Sequence, residues 1–583
     1  MTQTDTQQAI TVQRNASSTL RNGILVLLLV GGFLFRLVLM LQFRYAVSFD
    51  EPHYLRLAAA FLARGLPGLA HPYWPPLYPA LTGLVRLVVG DFELAGRLIN
   101  VASGTVIILL VYQLTRRLFG KSAARLSAAL AALYPPLAFG STSVMPETFY
   151  TALSVGGVAL GWRALTERNP RFAFAAGCLW GAGYLVKPEG IGYLAVFLLF
   201  AGVWALVGFR SEKRLGRFGI PVFALVGVLL VSGPYLVWLH QTLGVWTLSA
   251  KGEINQQMEA AVYFNAGEVK DPFFHLTSDN RHLPYDMALH FGDIQSLRSL
   301  SEGRQRYVSI PLSQYAEKYG RNLYHILRYS IPQLLTAALL ILWAAGFFGR
   351  IVGPVGFGLT AYLLATVAFY WFGVVPAFHV NDRYLAPLLP LCLVWMGPGL
   401  QTCADWTQRQ IHSVWQNRAR VIRMSHTLAW VAVFILFLGF SVLPELARIL
   451  AIHTDDDGMW ADPVELKEAG LWLKGQTDHP PALLSLNKAV DYYAGQMDMR
   501  KGASFSYDPL DRNLAYARHR GVRHVVFTSR YQGWFRNLED LMQEAETSPQ
   551  LRQVYEKAGP GAIRTLIYEL LPDADDSGED PNS

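Results

Sequence analysis

The chain has 583 residues, 52% of them hydrophobic, 13% aromatic and only 16% charged, with a mean hydropathy of +0.24. Soluble domains carry about 25% charged residues, so this chain lacks the polar surface of an ordinary soluble enzyme. The net charge of +7 does not point to nucleic acid, because many of the Lys and Arg residues cluster in short loops between apolar runs such as Gly23–Phe35 and Ile220–Val231.

In chain order, residues 1–21 read as a cytoplasmic N-terminal segment. The first apolar stretch follows Arg14 and Arg21 and has no clear small-residue cleavage site, so it reads as a retained helix. Windows of about 20 apolar residues place spans near 22–42, 94–115, 124–141, 146–165, 172–187, 189–208, 218–239, 330–349, 352–375, 384–401 and 427–448. The fold class is therefore an α-helical polytopic membrane protein of about eleven crossings. With the N-terminus inside, the basic clusters Arg116–Arg125, Arg163–Arg171, Arg210–Arg217 and Arg409–Arg423 all fall on the cytoplasmic side, as the positive-inside rule asks. The expected location is the plasma or inner membrane, with the C-terminus outside.

Three regions outside the spans are expected to face away from the cytoplasm. The first outer loop, 43–93, holds Asp50–Gly65 and Pro75–Gly90, each apolar at helical spacing but unsuited to crossing, hence interfacial helices. A large outer loop, 240–329, ends in the amphipathic stretch Ser313–Ser330. A domain over 455–571 alternates helices (Val464–Lys474, Asp511–Gly521) with strands (Ala482–Leu486, His524–Ser529, Ile563–Leu570), a small α/β pattern. Residues 572–583 are acidic and read as a disordered tail. The membrane-embedded body is thus expected over 22–450.

Ionisable residues gather at span ends on the outer side: Asp50 and Glu51, Glu147, Lys187 with Glu189, and His379 with Asp382 and Arg383. Charge at that depth is costly unless it meets partners or a water-filled cavity, so these groups point to one polar site. Each also has a plain structural use, as a helix N-terminal carboxylate, a snorkelling lysine or an interfacial anchor. Arg36, inside the first span, reads as a helix-facing structural charge. Three cysteines, Cys178, Cys392 and Cys403, show no CxxC or His spacing, which argues against structural zinc and thiol redox chemistry. His53 and His71 have no metal-binding spacing and read as polar lining. No Walker A or GxGxxG segment runs from strand into helix, so no nucleotide site is expected. Carboxylates can serve as a general base for a hydroxyl, and Lys and Arg at headgroup depth can hold a lipid-linked phosphate.

Several segments carry a resemblance: Ser48–Ala58 (SFDEPHYLRLA), His71–Leu84 (HPYWPPLYPALTGL), the Pro146–Glu147 pair, Tyr184–Gly190 (YLVKPEG), Gly244–Glu253 (GVWTLSAKGE) and Asp382–Pro390 (DRYLAPLLP). Together they resemble the GT-C membrane glycosyltransferases of the family 39-like group, which includes protein O-mannosyltransferases, the lipid A aminoarabinose transferase and RgtA/B/C/D-like enzymes. The resemblance implies a polyprenyl-phosphate sugar donor, a hydroxyl acceptor (lipid, glycan or protein) on the extracytoplasmic face, and an inverting single displacement. It implies Asp50 as catalytic base, Glu51 and Glu147 as further carboxylates, and Lys187 and Arg383 as holders of the donor phosphate near His379 and Tyr384. Tyr54 and His71 are the remaining expected substrate contacts. The aminoarabinose transferase group carries a lysine just before the Pro-Pro pair, whereas this chain has Trp74. No cofactor is required, and a divalent metal stays an open alternative. Expected partners are the donor lipid, the acceptor and the bilayer, with no nucleic acid. The rival readings are a transporter or flippase for a lipid-linked or polar solute, and a non-catalytic membrane assembly factor.

Overall fold

In a computed structural model, residues 3–43, 45–207, 215–252, 254–255, 273–295, 312–350, 353–414, 433, 435–454, 462–559 and 563–572 are described. The chain divides into two compact units. One comprises Met1–Phe43, Arg97–Gly233 and Tyr315–Arg448; the other comprises Arg44–Gly96, Pro234–Gln314 and Ile449–Ser583.

The first unit is helical throughout. Helix α1 (Gln3–Gln42) carries the apolar stretch Gly23–Gln42. Among the described residues, five helices are long and apolar enough to cross a membrane: Gly23–Gln42, Phe92–Leu133, Gly219–Leu243, Gly356–Ala377 and Asp382–Gln410. Leu312–Leu334 and Ala337–Gly349 make a sixth if that pair, bent by 92°, counts as one span. The expected windows 146–165, 172–187 and 189–208 coincide closely with helices Glu147–Glu167, Pro170–Tyr184 and Ile191–Val207. These are shorter or less apolar than a full crossing usually requires. Much of the 427–448 window lies outside the described residues.

The expected inner loop 116–125 is nearly all helix. Arg, Lys, Leu and Ala there favour helix, and α-helical dihedrals fail only at Gly120, whose φ of +83° breaks the run Phe92–Leu133. Arg36 takes the structural role expected of it. Wholly buried, it donates to the carbonyls of Gly32 (3.1 Å), Ala132 (3.0 Å) and Ala131 (3.0 Å). The last two are C-terminal carbonyls of that long helix, which lack intrahelical partners and attract positive charge. A side chain at Gly104 would come within 2.7 Å of the Arg36 Nε, so glycine keeps that passage open.

In the second unit, α2 (Glu51–Arg64) and α3 (Leu77–Val89) form in the first loop as expected. The C-terminal part is a four-stranded sheet in the order β1-β2-β4-β3. β1 (Leu483–Ser485) is parallel to β2 (His524–Thr528), while β4 (Arg564–Leu570) is antiparallel to both β2 and β3 (Leu551–Ala558). Leu483, Val526 and Ile567 meet Ala469 and Leu473 of helix Val464–Gln476 in one core. Arg530 grips Glu465 through two bonds, Nε to Oε1 at 2.6 Å and Nη2 to Oε2 at 2.8 Å, both side chains essentially buried. Strand β3 and helix Leu538–Thr547 are additions to the expected order. β3 is an edge strand whose Arg552, Gln553, Glu556 and Lys557 are exposed, and such charge protects an edge while hiding its alternation.

Candidate active site

The expected site residues fall in both units. In the first unit, Glu147 opens helix Glu147–Glu167 just after Pro146. Asn100 fixes the approach to it by donating to the carbonyls of Ser143 (2.9 Å) and Met145 (2.7 Å). Lys187 lies between helix Pro170–Tyr184 and the turn Pro188–Gly190. Its Nζ donates to Glu147 Oε1 at 3.1 Å, with side-chain exposures of 6% and 16%. The same ammonium lies 4.9 Å from the Tyr384 ring centre and 5.8 Å from that of Tyr150. Arg383 approaches Tyr384 as well, with Cζ 5.1 Å from the ring centre and Nη2 bonded to the hydroxyl at 3.0 Å.

The Arg383 backbone is held by Asn381, whose side chain accepts the Arg383 N–H at 3.0 Å. His379 is exposed two residues before Asn381 and feels the charges of Arg383 and Lys318. Glu147, Lys187, Arg383 and Tyr384 thus form one cluster, with Lys187 and Arg383 both at Tyr384. Glu189 belongs to the turn beside it, where its carbonyl accepts from the Tyr370 hydroxyl at 2.6 Å.

In the second unit, Asp50 is the residue before α2 and is half-buried. Its carbonyl accepts the N–H groups of His53 (3.2 Å) and Tyr54 (3.4 Å). Glu51 Oε2 reaches back to the Ser48 N–H at 3.0 Å. That Ser-x-x-Glu contact closes the helix start in the manner of a capping box. Between them Phe49 adopts φ +50°, an unfavourable region for a residue with a Cβ. Its ring meets Tyr531 edge-on.

Tyr54, 2% exposed, packs edge-on against Trp74 and Tyr78. His71 acts on the backbone: its Nδ1 accepts the N–H groups of Tyr73 (3.1 Å) and Trp74 (3.2 Å). That role requires a neutral ring protonated at Nε2. Burial, then the nearby His290 and Arg500, push its pKa down to about 3.

Sequence reasoning missed a buried polar chain in this unit. The rings of Trp74, His53 and His290 stack in turn, with centres 4.9 and 5.0 Å apart. His290 Nδ1 lies 2.8 Å from Asp286 Oδ1. Asp286 Oδ2 accepts from the Ser504 N–H (2.8 Å) and the Tyr516 hydroxyl (2.9 Å). Burial alone would raise the Asp286 pKa, but His290 and Lys488 hold it well below the usual carboxylate range. Burial lowers His53 and His290 below the ordinary imidazole value. Tyr285 rises above its ordinary range through burial and then the charges of Asp286 and Asp50, which puts Tyr285 within electrostatic reach of Asp50. The only advance signal was the spacing of Asp286 and His290, four residues apart on one helical face. Among the described residues, no three His, Cys, Asp or Glu side chains assemble as a metal-binding set.

Residues 71–238 match a family model described as dolichyl-phosphate-mannose-protein mannosyltransferase. No curated protein sequence matches the chain. The structure is similar to the archaeal oligosaccharyltransferase AglB of Archaeoglobus fulgidus, solved with an inhibitory peptide and a dolichol-phosphate. The TM-score is 0.55 at 14% identity, covering 94% of this chain and 74% of that one. It is also similar to ArnT of Cupriavidus metallidurans in the apo state, with a TM-score of 0.53 at 14% identity and coverage of 95% and 98%. The chain shares the GT-C fold of these two structures. Against ArnT bound to undecaprenyl phosphate the TM-score is 0.51 at 14% identity, covering 96% and 98%. In this GT-C chain the apolar helices belong to a multi-pass membrane protein, and the small sheet to its C-terminal domain.

Proposed function

We propose that the chain is a membrane glycosyltransferase that moves a sugar from a polyprenyl-phosphate donor to a hydroxyl acceptor on the extracytoplasmic face. The observation that carries this reading is the Lys187–Glu147 pair beside Tyr384, with Arg383 on the same tyrosine. Two cations at one half-buried point suit a leaving phosphate, and the adjoining carboxylate fixes the lysine in place. The GT-C fold and the lipid phosphates named for the solved AglB and ArnT structures support the same donor class.

In the proposed step the Asp50 carboxylate takes the proton of the acceptor hydroxyl. The acceptor oxygen forms a bond to the anomeric carbon as the bond from that carbon to the phosphate oxygen breaks. The electron pair leaves with the polyprenyl phosphate, whose added charge Lys187 and Arg383 offset. One displacement inverts the anomeric configuration. Glu51 keeps Asp50 in place by closing the helix start, and His379 lies on the phosphate side.

The test combines mass spectrometry of envelope glycans and lipids, with and without the protein, and transfer from defined polyprenyl-phosphate sugars. Asp50→Asn retains the shape of the side chain and removes its basicity. The reading expects transfer by the unaltered protein and its loss in this variant. Undiminished transfer by Asp50→Asn would remove Asp50 as base, and no transfer from any lipid-phosphate sugar would remove the donor class.

A further inference from the structure

Phe49 stands where a side chain is costly. The Ser48 carbonyl accepts the Glu51 N–H at 3.0 Å, so residues 48–51 form a four-residue turn with Phe49 and Asp50 at its centre. Phe49 has φ +50°, and a central turn position with positive φ is ordinarily given to glycine, asparagine or aspartate. Such strain persists only where the surroundings over-determine the backbone, and an observed outlier of this kind points to a functional demand.

The surroundings do so here, all from within the second unit. Ahead of the turn, Asp462 Oδ1 accepts the Ala46 N–H at 2.7 Å and the Tyr493 hydroxyl oxygen accepts the Val47 N–H at 2.9 Å. Glu51 Oε2 takes the Ser48 N–H at 3.0 Å. The Phe49 ring then meets Tyr531, with centres 6.2 Å apart and planes at 74°. Tyr531 is 2% exposed and fixed at both ends. Its hydroxyl oxygen accepts the Asn487 amide at 2.6 Å, and its carbonyl accepts the N–H groups of Trp534 and Phe535. Asn487 and Tyr531 follow the parallel strands β1 and β2, so the ends of two strands hold the ring. The four residues before Asp50 are thus each anchored, and the last anchor uses a ring where glycine would carry no strain.

We propose that Phe49 is a positioning residue: its ring, clamped on Tyr531, sets the direction in which the Asp50 carboxylate leaves the turn. The inference rests on the reading of Asp50 as the base that takes the acceptor's proton. Phe49 acts through the backbone of the turn. Misplacing a reacting group by about 1 Å can cost about a hundredfold in rate, so the strain serves rate and not stability.

The experiment uses the full-length protein in nanodiscs. It measures transfer from defined polyprenyl-phosphate sugars, with membranes from cells lacking the protein as acceptor, together with the unfolding midpoint. Phe49→Gly relieves the backbone and removes the ring, Phe49→Tyr keeps the ring, and Tyr531→Leu removes the clamp. The expected result for Phe49→Gly is a kcat lower by about tenfold to a hundredfold. The donor KM stays level, and the midpoint is no lower than that of the unaltered protein. Phe49→Tyr recovers most of that kcat. Tyr531→Leu lowers kcat in the same way, and joining it to Phe49→Gly adds little further loss, because both act through one contact. Unchanged kcat in Phe49→Gly overturns the inference. A Phe49→Gly protein that unfolds overturns it too, by making the ring structural. Loss of transfer in Asp50→Asn beside full transfer in Phe49→Gly leaves the base standing and removes this inference alone. Undiminished transfer by Asp50→Asn, or no transfer by the unaltered protein from any of these donors, removes the underlying reading and this inference with it.

Discussion

At the residue scale, the candidate chemistry separates into groups that act and groups that hold them. Asp50 is half-buried at a helix start, where its carboxylate stays within reach of solvent. Its loss is expected to cost about a hundredfold to ten-thousandfold in transfer, the usual contribution of a general base. Because Asn is isosteric with Asp, Asp50→Asn should keep the fold, which its unfolding midpoint checks. Glu147 differs. It neutralises Lys187 in a mostly buried pair, so Glu147→Gln leaves a lysine charge without its carboxylate and is expected to destabilise by about 3 kcal/mol. Glu147→Gln combined with Lys187→Met should recover most of that stability without recovering transfer. A double-mutant cycle on unfolding free energies reads the coupling, and additive losses would show that the pair is not coupled.

At the scale of elements, the His71–Trp74 turn makes the first loop sensitive to acid. His71 accepts two N–H groups only while neutral, and its pKa falls from 6.5 to about 3 on folding. Since the folded value is the lower one, its stabilising contribution is complete above about pH 6.5 and is lost as pH falls towards 3. Within that window each pH unit removes about 1.4 kcal/mol for one such histidine. His53 and His290 shift in the same direction and steepen the loss. The unfolding midpoint of the full-length protein should therefore fall steadily between pH 7 and pH 5. His71→Asn, whose amide oxygen can take over one of the two N–H groups, should show a shallower fall. A midpoint that ignores pH across this range would contradict the neutral role assigned to His71.

At the scale of the molecule, the C-terminal domain is part of the packing of the unit that holds Asp50. The Tyr493 hydroxyl oxygen accepts the Val47 N–H at 2.9 Å, and Asp462 accepts the Ala46 N–H at 2.7 Å. Arg56 of α2, wholly buried, donates to the Asp498 carbonyl at 2.5 Å. Ser504 and Tyr516 satisfy Asp286. Ending the chain at residue 455 would leave these buried groups unpaired, each at about 1–3 kcal/mol. Limited proteolysis should then find residues 44–96 newly cleavable, with transfer lost as well. A truncated protein that keeps this segment protected and keeps its activity would make the domain dispensable.

Much of this was legible from residue order because its causes are local or periodic. Apolar windows marked the helices of the membrane part, and alternation marked three of the four strands. Charge at span ends singled out Glu147, Lys187 and Arg383, which the fold gathers around Tyr384. What stayed hidden depends on contacts between distant segments. The stretch that holds Lys251 showed only a resemblance in sequence, whereas folding brings Asn255 to the Tyr73 hydroxyl and the lysine ammonium to the rings of Tyr73 and Trp74. The ring stack from Trp74 to His290 joins the first loop to the second, and Asp286 carries it on to Ser504 and Tyr516. Hydropathy and spacing report the medium and the element a residue belongs to. Which buried polar group answers which is decided only when the chain folds, since each must find a partner once water has been removed.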